Sequence, residues 1–126
     1  MKLIHIFVEE SKIKEISCKL NVINKVNNYT LKTFRDNNKL FYDSNYYKIN
    51  NETDYDCGFG IYREMSIEKI SPLLFPSKKD YYIETFTGQK KIIGVNTFAV
   101  QNKKSLTIIS RDIYELKSIL EQTFKK

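Results

Sequence analysis

The chain has 126 residues, 41% hydrophobic and 29% charged, with 4 Gly, 2 Pro, no Trp and a formal net charge of +6. That size and balance describe a single domain over residues 1–126 that can bury a core without staples, and they exclude collagen-like, low-complexity and disordered chains. No apolar run approaches the ~20 residues a membrane-spanning helix needs, and the basic balance favours an anionic partner.

The charge is unevenly spread. Residues 1–40 carry 8 Lys and Arg against 4 Asp and Glu, residues 41–75 carry 3 against 6, and residues 76–126 carry 10 against 5. The middle is acidic and both ends are basic. Of the 21 cations, Arg35, Arg63 and Arg111 alone are Arg, which argues against base-specific readout, where bidentate Arg contacts are favoured. Two cysteines, Cys18 and Cys57, with no CxxC spacing and no secretory leader, fit a reducing cytoplasm and read as small buried hydrophobes.

In chain order, Leu3 to Val8 reads as a buried strand. Ser11 to Val26 fits two periods: Ile13, Ile16, Leu20, Ile23 and Val26 recur at helical spacing, while Ile16, Cys18, Leu20 and Val22 alternate. The helical run is the longer, so a helix ending at Asn27-Asn28 is expected. Tyr29 to Arg35, Leu40 to Tyr42 and Tyr46 to Ile49 are expected strands. Asn50 to Asp56 reads as an acidic loop, Gly58 to Met65 as a strand, and Ser66 to Ile70 as a helical turn stopped by Pro72.

The last third organises the rest. Tyr81 to Thr87, Ile92 to Val100 and Ser105 to Ile109 read as three strands joined by polar breaks at Gly88 to Lys91 and Gln101 to Lys104. Breaks this short imply antiparallel neighbours. Ile113, Leu116, Ile119, Leu120 and Phe124 then recur at helical spacing, with Ser110 placed to cap, and Lys125 and Lys126 at the negative end of the dipole. The fold class expected is therefore α+β: a mostly antiparallel sheet with a C-terminal amphipathic helix packed on it. The order of about seven short strands and a closing helix resembles a pleckstrin-homology-like, partly closed barrel plugged by its terminal helix.

The sites follow from this layout. Lys78, Lys79, Lys103 and Lys104 are expected at one end of the sheet, and Lys90 and Lys91 at the other, near Arg111. Solvated turns are the ordinary role of such pairs; a phosphate-contacting rim is the functional one. His5, the one histidine, lies in an apolar strand and reads as a packed, hydrogen-bonded core residue. Glu52, Asp54 and Asp56 fail the calcium-loop pattern, with Met65 where a bidentate carboxylate would be needed. No metal site and no cofactor are expected.

Cys57-Gly58-Phe59-Gly60-Ile61-Tyr62-Arg63-Glu64 resembles the first ribonucleoprotein strand of RNA-recognition motifs. The resemblance implies a base-stacking role for Phe59 on an open sheet. Cys57, Ile61 and Glu64 depart from the basic, aromatic and aromatic residues of that pattern.

With no catalytic constellation, the sequence predicts a non-catalytic binding protein. The leading expectation is an accessory or inhibitor, of the type phages and mobile elements encode. It would dock on nucleic acid or a nucleoprotein through Lys78, Lys79, Lys90, Lys91, Lys103, Lys104 and Arg111. One alternative is a protein–protein module of immunity or antitoxin type, using Tyr42, Tyr46, Tyr47, Asp54, Phe59 and Tyr62 of the acidic segment 42–62. The other is a small-ligand binder in a barrel mouth, favoured by a pocket lined with Tyr and Lys.

Overall fold

The computed structural model of the chain describes residues 1–34, 38–42, 45–74 and 83–124. Eight strands run in chain order as β1 (Lys2–Val8), β2 (Asn24–Phe34), β3 (Lys39–Tyr42), β4 (Asn45–Asp56), β5 (Gly60–Lys69), β6 (Ile83–Ile92), β7 (Thr97–Gln101) and β8 (Leu106–Ser110). A short helix α1 (Ile13–Lys19) follows β1, and α2 (Ile113–Thr123) closes the chain. All strand pairs are antiparallel, and the order β1-β5-β4-β3-β2-β6-β7-β8 closes on itself as β1 pairs with both β5 and β8. Each strand thus has two neighbours, which removes the open edges that invite aggregation.

An eight-stranded ring is just wide enough for side chains to fill. Leu3, Leu40, Tyr42, Tyr47, Ile49, Met65, Ile67, Phe98, Val100 and Ile109 form one buried cluster. Tyr42 on β3 stacks on Phe98 of β7, ring centroids 5.9 Å apart and planes 9° from parallel. Those strands are not neighbours in the ring, so this cluster is the lumen. The alternate positions Ile4, Ile6, Ala99 and Ile108 join Ile16 of α1 and Leu116 of α2 in a second cluster. Both helices therefore lie against the outer wall. β7 and β8 are buried on both faces, which explains why neither shows an apolar–polar alternation with a charged face.

Several expectations are corrected. Of the expected helix from Ser11 to Val26, the first half forms, as a 3-10 turn over Glu10–Lys12 that runs into α1 over Ile13–Lys19; Asn24 onward belongs to β2. Asn27-Asn28 does not stop a helix but forms an irregularity in β2, with Asn28 at φ 58°. The acidic stretch Asn50 to Asp56 is strand, paired with β5 from Asn51 to Asp56 after a register shift between Ile49 and Asn51. Its side chains are exposed, so no apolar alternation marks it. Ser66 to Lys69 continues β5 instead of forming a helical turn. Gly88 to Lys91 lies inside β6, and the turn falls at Ile93 to Asn96. Ser110 is buried at the end of β8, and Asp112 caps α2 by accepting from the amides of Tyr114 at 3.0 Å and Glu115 at 3.1 Å. Cys18 is exposed and Cys57 half-buried. Lys78, Lys79, Lys125 and Lys126 lie outside the described residues.

Candidate functional site

The strand register sets which ends meet. The starts of β1 and β7, the ends of β3, β6 and β8, and the turn at Ile93 to Asn96 share one end of the barrel. A cavity of about 180 Å³ opens there, lined by Tyr42, Lys90, Asn96, Phe98 and Arg111 among others.

Lys90 reaches it because β6 alternates. Lys90 pairs with Val100 and Ile92 with Phe98, so Lys90 and Ile92 share the lumen face. The Lys90 ammonium stands 4.3 Å from the Phe98 ring centroid and 4.7 Å from that of Tyr29. These are cation–π distances. Lys91 turns the other way. Its ammonium donates to Ser17 Oγ of α1 at 3.1 Å and to Gln101 Oε1 at 2.5 Å. Desolvation, then the nearby Lys25 charge, lowers its pKa below the usual lysine value.

Arg111 is held from α2. Glu115 accepts from the Asn96 amide at 2.9 Å and from Asn96 Nδ2 at 3.4 Å. Asn96 in turn accepts from Arg111, at its carbonyl from the amide (3.2 Å) and at Oδ1 from Nε (3.3 Å). Gly94 leaves the room that the Glu115 carboxylate occupies; a Cβ there would push the carboxylate from its place. Among the described residues neither Lys90 nor Arg111 forms an ion pair.

The opposite end of the barrel behaves differently. Arg63 donates to both Asp54 oxygens, at 2.9 and 3.1 Å, and lies 3.7 Å from Glu52. Its guanidinium also covers the Phe7 ring at 5.1 Å. Next to it His5 is buried in the lumen, with Nε2 lacking a hydrogen-bond partner among the described residues. Burial, and secondarily the Arg63 charge, lower its pKa to about 3, so this imidazole stays neutral at ordinary pH.

The remaining expected site residues scatter. Lys103 and Lys104 are exposed at the turn between β7 and β8, at the other end of β7 from the turn at Ile93 to Asn96. Tyr42 and Tyr47 fill the lumen, whereas Tyr46 is half-buried against Phe41, centroids 5.0 Å apart. Tyr62 packs at 5.9 Å from Tyr55, and burial followed by the Glu64 charge raises its phenol pKa. Phe59 lies in the turn before β5, against Phe124 at 4.8 Å, and the ring of strands leaves no open sheet for it to stand on.

No protein-family model, curated protein or solved structure gives a significant match to the chain. The residues at the mouth must carry the argument.

Among the described residues no group of three His, Cys, Asp or Glu is placed to hold a metal ion, and no helix is long and apolar enough to cross a membrane. Sequence reasoning missed Tyr29, Asn96, Phe98 and Glu115. Reading Lys90 and Ile92 as same-face strand neighbours would have pointed to the lumen; nothing local marks Glu115 as the group that holds Asn96.

Proposed function

We propose that this is a non-catalytic binding protein whose barrel mouth takes a small oxyanion, a carboxylate or a phosphate. One observation carries the reading: two cations, Lys90 and Arg111, line one cavity and neither has an ion-pair partner among the described residues. Cation–π contacts hold Lys90 but leave its three N–H donors without a charged acceptor among the described residues. An oxyanion supplies that acceptor, and charge-assisted bonds to it are about twice as strong as neutral ones. Tyr42 and Phe98 give the site an apolar wall, the mixture typical of small-ligand pockets.

The likeness to a pleckstrin-homology-like barrel belongs with this proposal as architecture alone. The place of α2 against the outer wall departs from an end plug.

Docking on nucleic acid or a nucleoprotein is the second reading, supported by the exposed Lys103-Lys104 turn and the net charge of +6. It loses Lys90 and Lys91 as a shared contact, since the two face opposite sides of β6.

The test is calorimetric titration of the full chain with sodium phosphate and sodium acetate at low ionic strength. One-to-one saturation by at least one of them is expected, weakened at least tenfold by Lys90→Met and by Arg111→Met. Absence of binding by both anions, or unchanged affinity in Lys90→Met, would sink the proposal.

A further inference from the structure

The mouth is small for a complete ligand. Pockets for small molecules usually enclose about 300–1,000 Å³, and this cavity holds about 180 Å³. A second cavity of about 390 Å³ lies on the outer wall between β1 and the first turn of α2. Met1, Ile4, Ile113 and Tyr114 give it an apolar lining. The two cavities share two residues, Asn96 and Arg111. The 3.3 Å hydrogen bond from Arg111 Nε to Asn96 Oδ1 fixes the guanidinium in the wall common to both.

The carboxylates of the groove are already engaged. Glu64 lies 3.6 Å from the Lys2 ammonium. Asp112 accepts the two amides that begin α2. The charge left at the junction is that of Arg111, and the surface leading away from it is apolar. Tyr114 is 80% exposed and Val95, beside the mouth, 90%. Tyr114 is contiguous with the groove lining of Met1, Ile4 and Ile113, and contiguous exposed apolar surface, unlike scattered residues, marks ligand-binding grooves.

We infer that the ligand of this site is an amphipathic anion: its oxyanion head lies between Lys90 and Arg111, and its apolar chain runs from the Arg111–Asn96 junction along the groove of Ile4, Ile113 and Tyr114. The inference rests on the oxyanion reading above and adds the class of molecule. Head and tail are recognised by separate surfaces, so affinity rises with chain length, because each methylene removed from water adds to binding. A head alone binds weakly. A neutral chain of the same length gains nothing from Lys90.

The experiment is calorimetric titration of the full chain with inorganic phosphate, butyl phosphate and octyl phosphate, each below its micelle concentration, with octanol as the neutral control. Octyl phosphate is expected to bind at least tenfold tighter than inorganic phosphate, with butyl phosphate between them and octanol not detected. Tyr114→Ser, at an exposed position that folding does not depend on, is expected to reduce the octyl-to-inorganic affinity ratio at least threefold. Phosphate binding with no gain from the octyl chain would overturn this inference and leave the oxyanion site standing. Absence of binding by all three phosphates would overturn this inference, and absence of acetate binding as well would remove the oxyanion site with it. Sedimentation with phosphatidylglycerol vesicles is the last arm. Vesicle binding without octyl phosphate binding would assign the mouth to a lipid surface and overturn the inference.

Discussion

Lys90 and Lys91 adjoin in sequence yet meet opposite surroundings, because successive side chains of a strand point to opposite faces. A strand so placed turns a lysine pair into one lumen cation and one outer-wall hydrogen-bond donor. His5 is the lumen's other titratable group with a consequence. Its unfolded imidazole gains a proton near 6.5 and its folded one near about 3. Between those values the unfolded state binds more protons. The stability from neutral His5 is therefore complete above pH 6.5 and is lost as pH falls toward about 3. The slope approaches ~1.4 kcal/mol per pH unit. The urea midpoint should fall from pH 6.5 to 5 in the wild type and stay nearly level in His5→Leu. A level wild-type midpoint would mean that the folded imidazole is solvated. At this scale the sequence was partly legible. The burial of His5 followed from its apolar neighbours, but its orphaned Nε2 did not, because hydrogen-bond partners in a barrel come from strands distant in the chain.

The elements that shape the mouth are the Ile93 to Asn96 turn and α2, and they are mechanically one unit through Glu115. Removing that carboxylate with Glu115→Ala leaves the Asn96 amide without its 2.9 Å acceptor and frees Arg111 from its orientation. The expected outcome is a loss of ~1.5–3 kcal/mol, the range for hydrogen bonds to a charged group, together with weaker phosphate binding. Urea denaturation and titration of the same variant check both. Leu116→Ala, on the buried stripe of α2, should cost ~2–5 kcal/mol and leave the Lys90 end of the site in place. A loss below about 1 kcal/mol would mean that α2 is not docked as described. The α2 stripe was legible from Ile113, Leu116, Ile119 and Leu120, since a helix with one wet face must show its period. The acidic half of β4 was not. Both its faces meet solvent, so pairing with β5 decides its conformation and no burial pattern records it. The first helix was overextended for the opposite reason: Ile23 and Val26 fit the period but are exposed, the one just before β2 and the other within it.

At the scale of the whole molecule the charge of +6 allows two kinds of anion binding, and salt separates them. Loose contact with a polyanion through surface lysines releases counterions, giving log affinity a slope of about −0.9 per phosphate neutralised against log salt. Lys103 and Lys104 are exposed at one turn; Lys90 is turned inward and Lys91 is bonded to α1 and β7. A patch that small neutralises few phosphates, so duplex DNA binding should be weak, with a slope no steeper than about −2. The mouth is different in kind: its cations are fixed by Phe98, Tyr29 and Asn96, and a single oxyanion meets both. Lys90→Met should therefore weaken phosphate binding at least tenfold and leave the duplex slope unchanged, whereas the double variant Lys103→Ser, Lys104→Ser should flatten the duplex slope and leave phosphate binding unchanged. Anisotropy with labelled duplex at several salt concentrations, beside phosphate titration of both variants, reads the two effects independently. A steep duplex slope that flattens in Lys90→Met would place Lys90 on a nucleic-acid surface and overturn its assignment to a closed mouth. The barrel itself explains why the sequence pointed first to a rim: charge counts along a chain cannot tell a lysine on the outer wall from one turned into the lumen beside Tyr29 and Phe98.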